Sequence, residues 1–124
     1  MIFIKGNFPS FKNSKQYFGK GRVIMSKTVL KYLKEYEYQW KVIPTEFSNL
    51  SDDKFPTKVG FHFVRGTLHR WDLHNMVQGC ADLMVKYKWI PDDSTKYFLP
   101  FPLEIDNKYY SYDKENPGVY IKIL

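Results

Sequence analysis

The strongest constraint on the fold is a stripe of apolar residues that recur at spacings of three and four between positions 73 and 87. The stripe consists of Leu73, Met76, Val77, Cys80, Leu83, Met84 and Tyr87. This spacing places them on one face of a helix, which must bury that face against another layer of the protein. Polar residues on another side of the helix are His74, Asn75, Gln78 and Asp82, and Asp82 and Lys86 have the spacing of a helical ion pair.

A strand and another helix are predicted before this stripe. Apolar residues alternate in "TKVGFHFVRG" (57–66), which predicts a strand with His62 on its less buried face. Ser26 is a suitable N-cap for a helix that runs from Lys27 to about Trp40. Both elements supply apolar faces against which the 73–87 helix can pack.

The remaining segments complete a pattern of mixed helices and strands. Pro100 and Pro102 interrupt an extended segment, which therefore suits the edge of a sheet. The predicted strands fall within residues 1–8, 57–66, 95–105 and 119–124. This order predicts a single α+β domain over residues 1–124, in which a small mixed β-sheet packs against two helices.

The charge of the chain suggests a polyanionic partner. Lysine and arginine number 19 against 13 acids, which gives a formal charge of +6. That charge suits a polyanionic partner, nucleic acid first, and equally a soluble protein that happens to be basic. Four basic residues, Lys12, Lys15, Lys20 and Arg22, alternate with aromatic residues in "PSFKNSKQYFGKGR" (9–22), a predicted loop or irregular hairpin. That pattern suits a phosphate backbone with bases nearby, or a solvated loop whose aromatic side chains cover the core.

A structural zinc site and a reactive cysteine are not indicated. Cys80 is the only cysteine and lies on the apolar stripe, which predicts packing rather than reactivity and agrees with a reducing compartment. The histidines and Cys80 match no structural zinc spacing. No apolar run approaches a membrane span and the N-terminus lacks a secretory pattern, so we expect a cytoplasmic protein without a membrane partner.

Carboxylates at both ends of the 73–87 helix are candidate ligands for a hard divalent cation. Asp72 stands where the helix begins and also suits an N-cap. Asp92 and Asp93 follow the other end, about 25 Å away along a straight axis. The two segments can meet if the chain folds back or if a symmetric dimer brings them together, and spacing does not choose between these.

The stretch "RWDLHNMVQGCADLMVKYKWIPDDS" (70–94) resembles the signature of RusA-type Holliday junction resolvases, which are crossover junction endodeoxyribonucleases. The matching positions, without a gap, are Asp72, Asn75, Asp82, Asp92 and Asp93. The segment "PSFKNSKQYFGKGRVIMSK" (9–27) is also similar to the basic N-terminal segment of that family. The resemblance covers residues 69–94 well and most of the chain weakly.

The resemblance implies a dimeric, magnesium-dependent enzyme of DNA recombination and repair that cuts four-way junctions, of a type common in phages and prophages. It implies that Asp72 and Asp93 bind the metal, with Asp92 beside them. Two positions depart from the family pattern, since His74 replaces an aspartate and Gln78 replaces a lysine. Imidazole suits manganese better than magnesium. His74 is therefore a metal ligand, a general base or only a polar residue of the first helical turn.

The sequence thus predicts a metal-dependent endodeoxyribonuclease that resolves Holliday junctions or other branched DNA by phosphodiester hydrolysis. The expected cofactor is Mg²⁺, or Mn²⁺. The predicted catalytic residues are Asp72, His74 and Asp93, and the predicted metal ligands are these three with Asp92. The predicted DNA contacts are Lys12, Lys15, Lys20, Arg22, Arg70 and Gln78. The alternatives are a related protein that binds branched DNA without cutting it, and a basic structural domain with another partner.

Overall fold

Most of the backbone belongs to one mixed β-sheet and the helices that cover it. The computed structural model describes residues 1–11, 15–18 and 22–124, with the backbone alone at 15–18 and 22–25. Within these residues, a five-stranded sheet contains β1 (Ile2–Lys5), β4 (Thr57–Arg65), β5 (Phe98–Pro102), β6 (Tyr110–Tyr112) and β7 (Gly118–Ile123). A separate antiparallel hairpin joins β2 (Lys15–Phe18) and β3 (Arg22–Met25), as the sequence predicted for part of the basic segment. The single α+β domain is confirmed.

Strand β4 is the centre of the sheet. One edge of β4 pairs antiparallel with β7, which in turn pairs with β1. The other edge pairs in parallel with β5 along its first half and with β6 along its last three residues. Val59, Phe61 and Phe63 on β4 are fully buried in the core. Pairing on both edges and burial on both faces explain why β4 is the most buried of the strands whose side chains are described, although His62 interrupts its apolar residues.

The prediction that His62 lies on a less buried face is wrong, because its side chain is only 1% exposed. Its Nδ1 lies 2.9 Å from the carbonyl oxygen of Leu103, which can only accept, so Nδ1 donates. Its Nε2 pairs with the hydroxyl of Ser111 at 2.6 Å. Leu103, in the connection from β5 to β6, and Ser111 of β6 therefore cover this face of β4. The alternating sequence of β4 could not indicate these partners, because they lie far away along the chain.

The first helix is shorter than predicted. Helix α1 (Lys27–Tyr36) begins at the predicted N-cap, where Ser26 Oγ accepts the Val29 N–H at 3.3 Å. The chain then tightens into a 3₁₀-helix at Glu37–Lys41. Trp40 is fully buried there, and its carbonyl accepts the Trp89 indole N–H at 2.8 Å. This bond anchors the segment after α3 to the end of α1.

Helix α3 confirms the apolar stripe. A short helix, α2 (Thr45–Ser48), precedes β4, and α3 (Leu73–Lys86) follows it. Buried residues of the stripe include Met76, Cys80, Leu83 and Met84. Burial raises the pKa of the Cys80 thiol, which agrees with a packing role. No helix among the described residues is long and apolar enough to cross a membrane.

The prediction that Asp82 pairs with Lys86 is wrong. Lys86 instead forms an ion pair with Glu37 at 2.8 Å, and the Tyr87 hydroxyl donates to the same carboxylate. Asp82 accepts a hydrogen bond from Gln78. The Glu37 side chain is only 21% exposed, so its partners are less screened by water than an exposed pair on one helix would be.

The edge strand and the chain end agree with the sequence. Among the described strands, β5 pairs with β4 alone, so Pro100 and Pro102 lie at an edge as expected. The final strand, predicted to begin at Val119, begins at Gly118. Strand β6 was not predicted as a separate strand, because three residues are too few to show a period.

Glu37→Gln tests the contact between α1 and α3. Burial by itself would raise the pKa of Glu37, but the hydrogen bonds from Lys86 and Tyr87 lower it below 4.5 overall. A lowered pKa means that the carboxylate stabilises the fold above its unfolded pKa and loses this effect as the pH falls through the folded pKa. We expect Glu37→Gln to lower the free energy of unfolding by about 1 kcal/mol at neutral pH.

Urea unfolding across the acid range measures this effect. The difference from the wild type should shrink as the pH falls below the ordinary carboxylate value of 4.5. Glu104→Gln, at an exposed glutamate of the β5–β6 connection, is the control and should change stability little. A deficit for Glu37→Gln that is unchanged under strongly acid conditions would contradict this interpretation.

Candidate metal and nucleic-acid site

Asp72 lies where the chain leaves β4 and enters α3. Its side chain is exposed, and one carboxylate oxygen accepts the backbone N–H of His74 at 3.0 Å. The predicted N-cap is therefore confirmed. This hydrogen bond fixes the Asp72 carboxylate at the helix N-terminus through one of its two oxygens. The other oxygen is not used by the cap and can bind a ligand.

The chain reverses sharply after α3 and brings Asp93 back along the helix. Lys88 has a positive φ of 64°, and the Trp89 N–H bonds the Met84 carbonyl at 2.8 Å. Trp89 and Ile90 are then buried at 2% and 1% exposure, which fixes the turn to the core. The following residues return towards the middle of α3, where Asp93 reaches the side chain of Gln78.

Gln78 holds two carboxylates. Its Nε2 donates to Asp82 Oδ1 at 2.9 Å and to Asp93 Oδ2 at 3.1 Å. Since both bonds share one nitrogen, the two acceptor oxygens lie within about 6 Å of each other. This position, occupied by a lysine in the RusA-type pattern, therefore still carries a donor between acids, but a neutral one.

Because the chain folds back after α3, the distance of about 25 Å expected along a straight helix axis does not apply. Gln78 is six residues beyond Asp72, which is about 9 Å along the helix axis rather than about 25 Å. Asp93 reaches the Gln78 side chain, so it has returned to about the middle of the 14-residue helix α3. The sequence left open whether a fold-back or a dimer joins the two segments, and the structure contains a fold-back.

Asp92 differs from its neighbour. Its pKa is lowered first by a hydrogen bond from the Ser94 side chain and then by the backbone N–H groups of Asp93 and Ser94. These contacts are those of a local turn. The carboxylate of Asp92 therefore organises the loop, whereas that of Asp93 points to α3.

The carboxylates of Asp72 and Asp93 are the kind of ligand that a hard divalent cation prefers. Asp72 and Asp93 are both exposed and supply oxygen ligands, and His74 is exposed on the first turn of α3. In the described part of the chain, no three side chains of the His, Cys, Asp and Glu types are close enough together to hold a metal ion. Mg²⁺ commonly binds one or two carboxylates and completes its shell with water and substrate phosphates, so a full protein cage is not required.

The basic residues predicted to contact DNA are only partly visible. Lys12 and Lys20 lie outside the described residues, as do the side chains of Lys15 and Arg22 in the β2–β3 hairpin. Arg70 is exposed on the loop between β4 and α3. It borders two clefts that meet along this loop.

The two clefts form a continuous surface beside Asp72. The second cleft has a volume of about 910 Å³ and extends from the loop to Asp72 and Asn75. The first has a volume of about 720 Å³ and lies between the loop and residues 108–112. Arg65 and Arg70 border both clefts. The carboxylate at the start of α3 is thus next to a basic and aromatic surface.

Arg65 was missed by the sequence analysis. It is 8% exposed, its Nη1 donates to the Phe8 carbonyl at 2.6 Å, and its guanidinium lies 5.4 Å from the centre of the Trp71 ring. Burial lowers its pKa, because no described acid forms an ion pair with it. The sequence shows only an arginine at the end of a predicted strand, and this does not indicate that the residue borders a cleft.

Gln78→Leu and Gln78→Lys test whether Gln78 holds the loop of Asp93. Leucine removes the donor, and we expect amide hydrogen exchange in residues 92–96 to quicken about fivefold, the equivalent of one hydrogen bond. Lysine retains a donor and adds a charge, so exchange should stay near the wild-type rate. Exchange measured by mass spectrometry that is equal in Gln78→Leu and the wild type would show that Trp89 and Ile90 hold the loop alone.

Comparison with known proteins found no relative of this chain. No family model, no curated protein and no solved structure matches the chain. The resemblance of residues 69–94 to RusA-type resolvases therefore stays a prediction, and so do the roles that it gives to these residues.

Proposed function

We propose that the protein is a metal-dependent endodeoxyribonuclease that resolves Holliday junctions or other branched DNA by phosphodiester hydrolysis. The observation that carries this proposal is the chain reversal after α3. It brings the Asp93 carboxylate to Gln78, about two helical turns from Asp72. Asp93 thus lies beside the middle of the helix that Asp72 caps.

Asp72 and Asp93 would hold the metal ion, and His74 as a third ligand, with Asp92 adjacent, would require these side chains to move closer together. When bound, Mg²⁺ or Mn²⁺ neutralises charge at the phosphate and activates water. An imidazole at position 74 favours Mn²⁺ over Mg²⁺ relative to an aspartate there.

The chain's own residues position these groups. The cap bond to the His74 N–H orients the Asp72 carboxylate, and the Gln78 amide orients Asp93. If His74 is not a ligand, its neutral imidazole can accept a proton from the attacking water. Arg70 lies beside Asp72 on the cleft surface and would bind a DNA phosphate, together with Lys12, Lys15, Lys20 and Arg22.

A homodimer in the cytoplasm suits this activity. Symmetric cutting of a four-way junction needs two active sites related by a two-fold axis. The single cysteine, which is buried, agrees with a reducing compartment.

The alternative is a related protein that binds branched DNA without cutting it. The specific observation in its favour is that the neutral amide of Gln78 donates hydrogen bonds to both Asp82 and Asp93. A lysine there would instead bring a positive charge to the phosphate under attack. Binding to a junction in the presence of Mg²⁺ and Mn²⁺, without strand cleavage under either, would identify this alternative.

Asp72→Asn and Asp93→Asn test the enzyme proposal. Asparagine also caps helices and can still accept from Gln78, so both variants should fold while losing a charged ligand. We expect each to cut a synthetic four-way junction about a hundredfold more slowly than the wild type, or about 2.7 kcal/mol of transition-state stabilisation. The measurement is the single-turnover cleavage rate with Mg²⁺ and, separately, with Mn²⁺.

Asp52→Asn is the matched control for these variants. Asp52 is an exposed acid before β4, whereas Asp72 follows β4. A nine-residue strand spans about 30 Å, so the control is remote from the site. Its cleavage rate should equal that of the wild type. Equal rates for all three variants and the wild type would contradict the assignment of Asp72 and Asp93.

His74→Asp tests the choice of metal. An oxygen ligand in place of the imidazole should raise the ratio of the Mg²⁺-supported to the Mn²⁺-supported cleavage rate, by about tenfold if His74 contacts the ion. His74→Asn is the neutral control. A ratio that is unchanged in His74→Asp would show that His74 is not a ligand.

A further inference from the structure

Three tyrosines form an exposed aromatic surface at the end of the sheet. Tyr109, Tyr110 and Tyr112 are 58%, 58% and 50% exposed, although large apolar groups are usually covered. Strands β4 and β6 run in parallel, and Tyr110 and Tyr112 stand opposite Phe63 and Arg65. Residues two apart on a strand share a face, so Tyr110 and Tyr112 are neighbours on one surface.

Tyr110 is held in place from one side. Its ring meets Trp71 edge-on at a centroid distance of 5.3 Å, and Trp71 also packs against Phe63. Arg65 lies over the Trp71 ring, which is half-buried. The tyrosines are the more exposed aromatic groups of this surface and can stack on a ligand.

The cleft beside these tyrosines is basic. Its volume of about 720 Å³ is that of a small-molecule site. Arg65, Arg70 and Lys108 border it, and no aspartate or glutamate is among its described lining residues. This surface combines positive charge with aromatic rings and fits an anion that carries a flat ring.

Arg65 gives a second, independent indication of an anionic ligand. Its side chain is more than nine-tenths buried, it forms no ion pair with a described acid, and its Nε is buried without a hydrogen-bond partner. A buried guanidinium is usually paired with an anion. Arg65 borders the cleft and its Nη1 is engaged by the Phe8 carbonyl, so its guanidinium adds positive charge to the wall of the cleft.

We propose that this cleft binds unpaired nucleotides of a DNA strand, with bases stacked on Tyr110 and Tyr112 and phosphates facing Arg70 and Lys108. Bases within a duplex are already stacked on one another, so the aromatic surface selects for a strand that is not paired. The cleft shares the 65–71 loop with the cleft that reaches Asp72. An unpaired strand bound there would lead directly to Asp72. The choice of DNA over RNA and this last step rest on the proposed nuclease function, whereas the binding of an unpaired strand does not.

Fluorescence anisotropy with a labelled ten-nucleotide oligothymidylate tests the binding, with a DNA duplex and an oligouridylate of the same length as comparisons. The wild type should prefer the single-stranded DNA to the duplex. Tyr110→Ala and Tyr112→Ala should each weaken single-strand binding about tenfold, since stacking contributes strongly to such complexes. Tyr110→Phe and Tyr112→Phe preserve a ring and should bind as the wild type does.

Tyr38→Ala is the control, because Tyr38 is 63% exposed and lies on the 3₁₀-helix after α1. Its binding should be unchanged. Equal binding by Tyr110→Ala, Tyr112→Ala and the wild type would overturn the proposal, as would a wild-type preference for duplex or for RNA. A change in oligomeric state on light scattering in the alanine variants, with DNA binding unchanged, would assign the surface to a protein interface instead.

The nuclease proposal can fail while the proposal of single-strand binding holds. A wild type that binds the single strand through Tyr110 and Tyr112 but cuts no junction would retain this inference and overturn the enzyme assignment.

Discussion

The burial of strand β4 on both faces and its pairing along both edges is the constraint on which the rest of the structure depends. The connection between β5 and β6, which share one edge of β4, contributes Leu103 to the cover of the face that buries His62. The opposite face takes α3 and the aromatic core. The carboxyl ends of β4 and β6 then coincide with the start of α3, so that Asp72, Arg65 and the exposed tyrosines arise at one end of the sheet.

The candidate site depends on a second constraint, the anchoring of the turn after α3. Buried Trp89 and Ile90 fix the reversal, and the Gln78 amide receives Asp93 at its end. The sequence was sufficient to predict the Asp72 cap and to select the acids by resemblance. It was not sufficient to place Asp93, because a straight helix axis separates the two segments and only the packing of Trp89 against the Trp40 region reverses the chain.

Local patterns predicted the fold well wherever the stabilising contacts are local. The Ser26 cap, the α3 stripe and the proline-bearing edge strand all depend on residues within a few positions of each other. The wrong predictions concern contacts between distant parts of the chain. His62 is covered by Leu103 and Ser111, and the partner of Lys86 is Glu37, 49 positions away. Alternation and helical spacing contain no information about such partners.

The central claim is that Asp72 and Asp93 form one metal site within a protomer. Paramagnetic broadening of backbone amide NMR signals by substoichiometric Mn²⁺ tests it most directly, since broadening marks the residues near the ion. One shared site predicts that residues 72–75 and 92–94 broaden together, while Asp52 and Asp53, the exposed acids before β4, stay sharp. Broadening confined to one of the two segments, or greatest at Asp52 and Asp53, would contradict the claim.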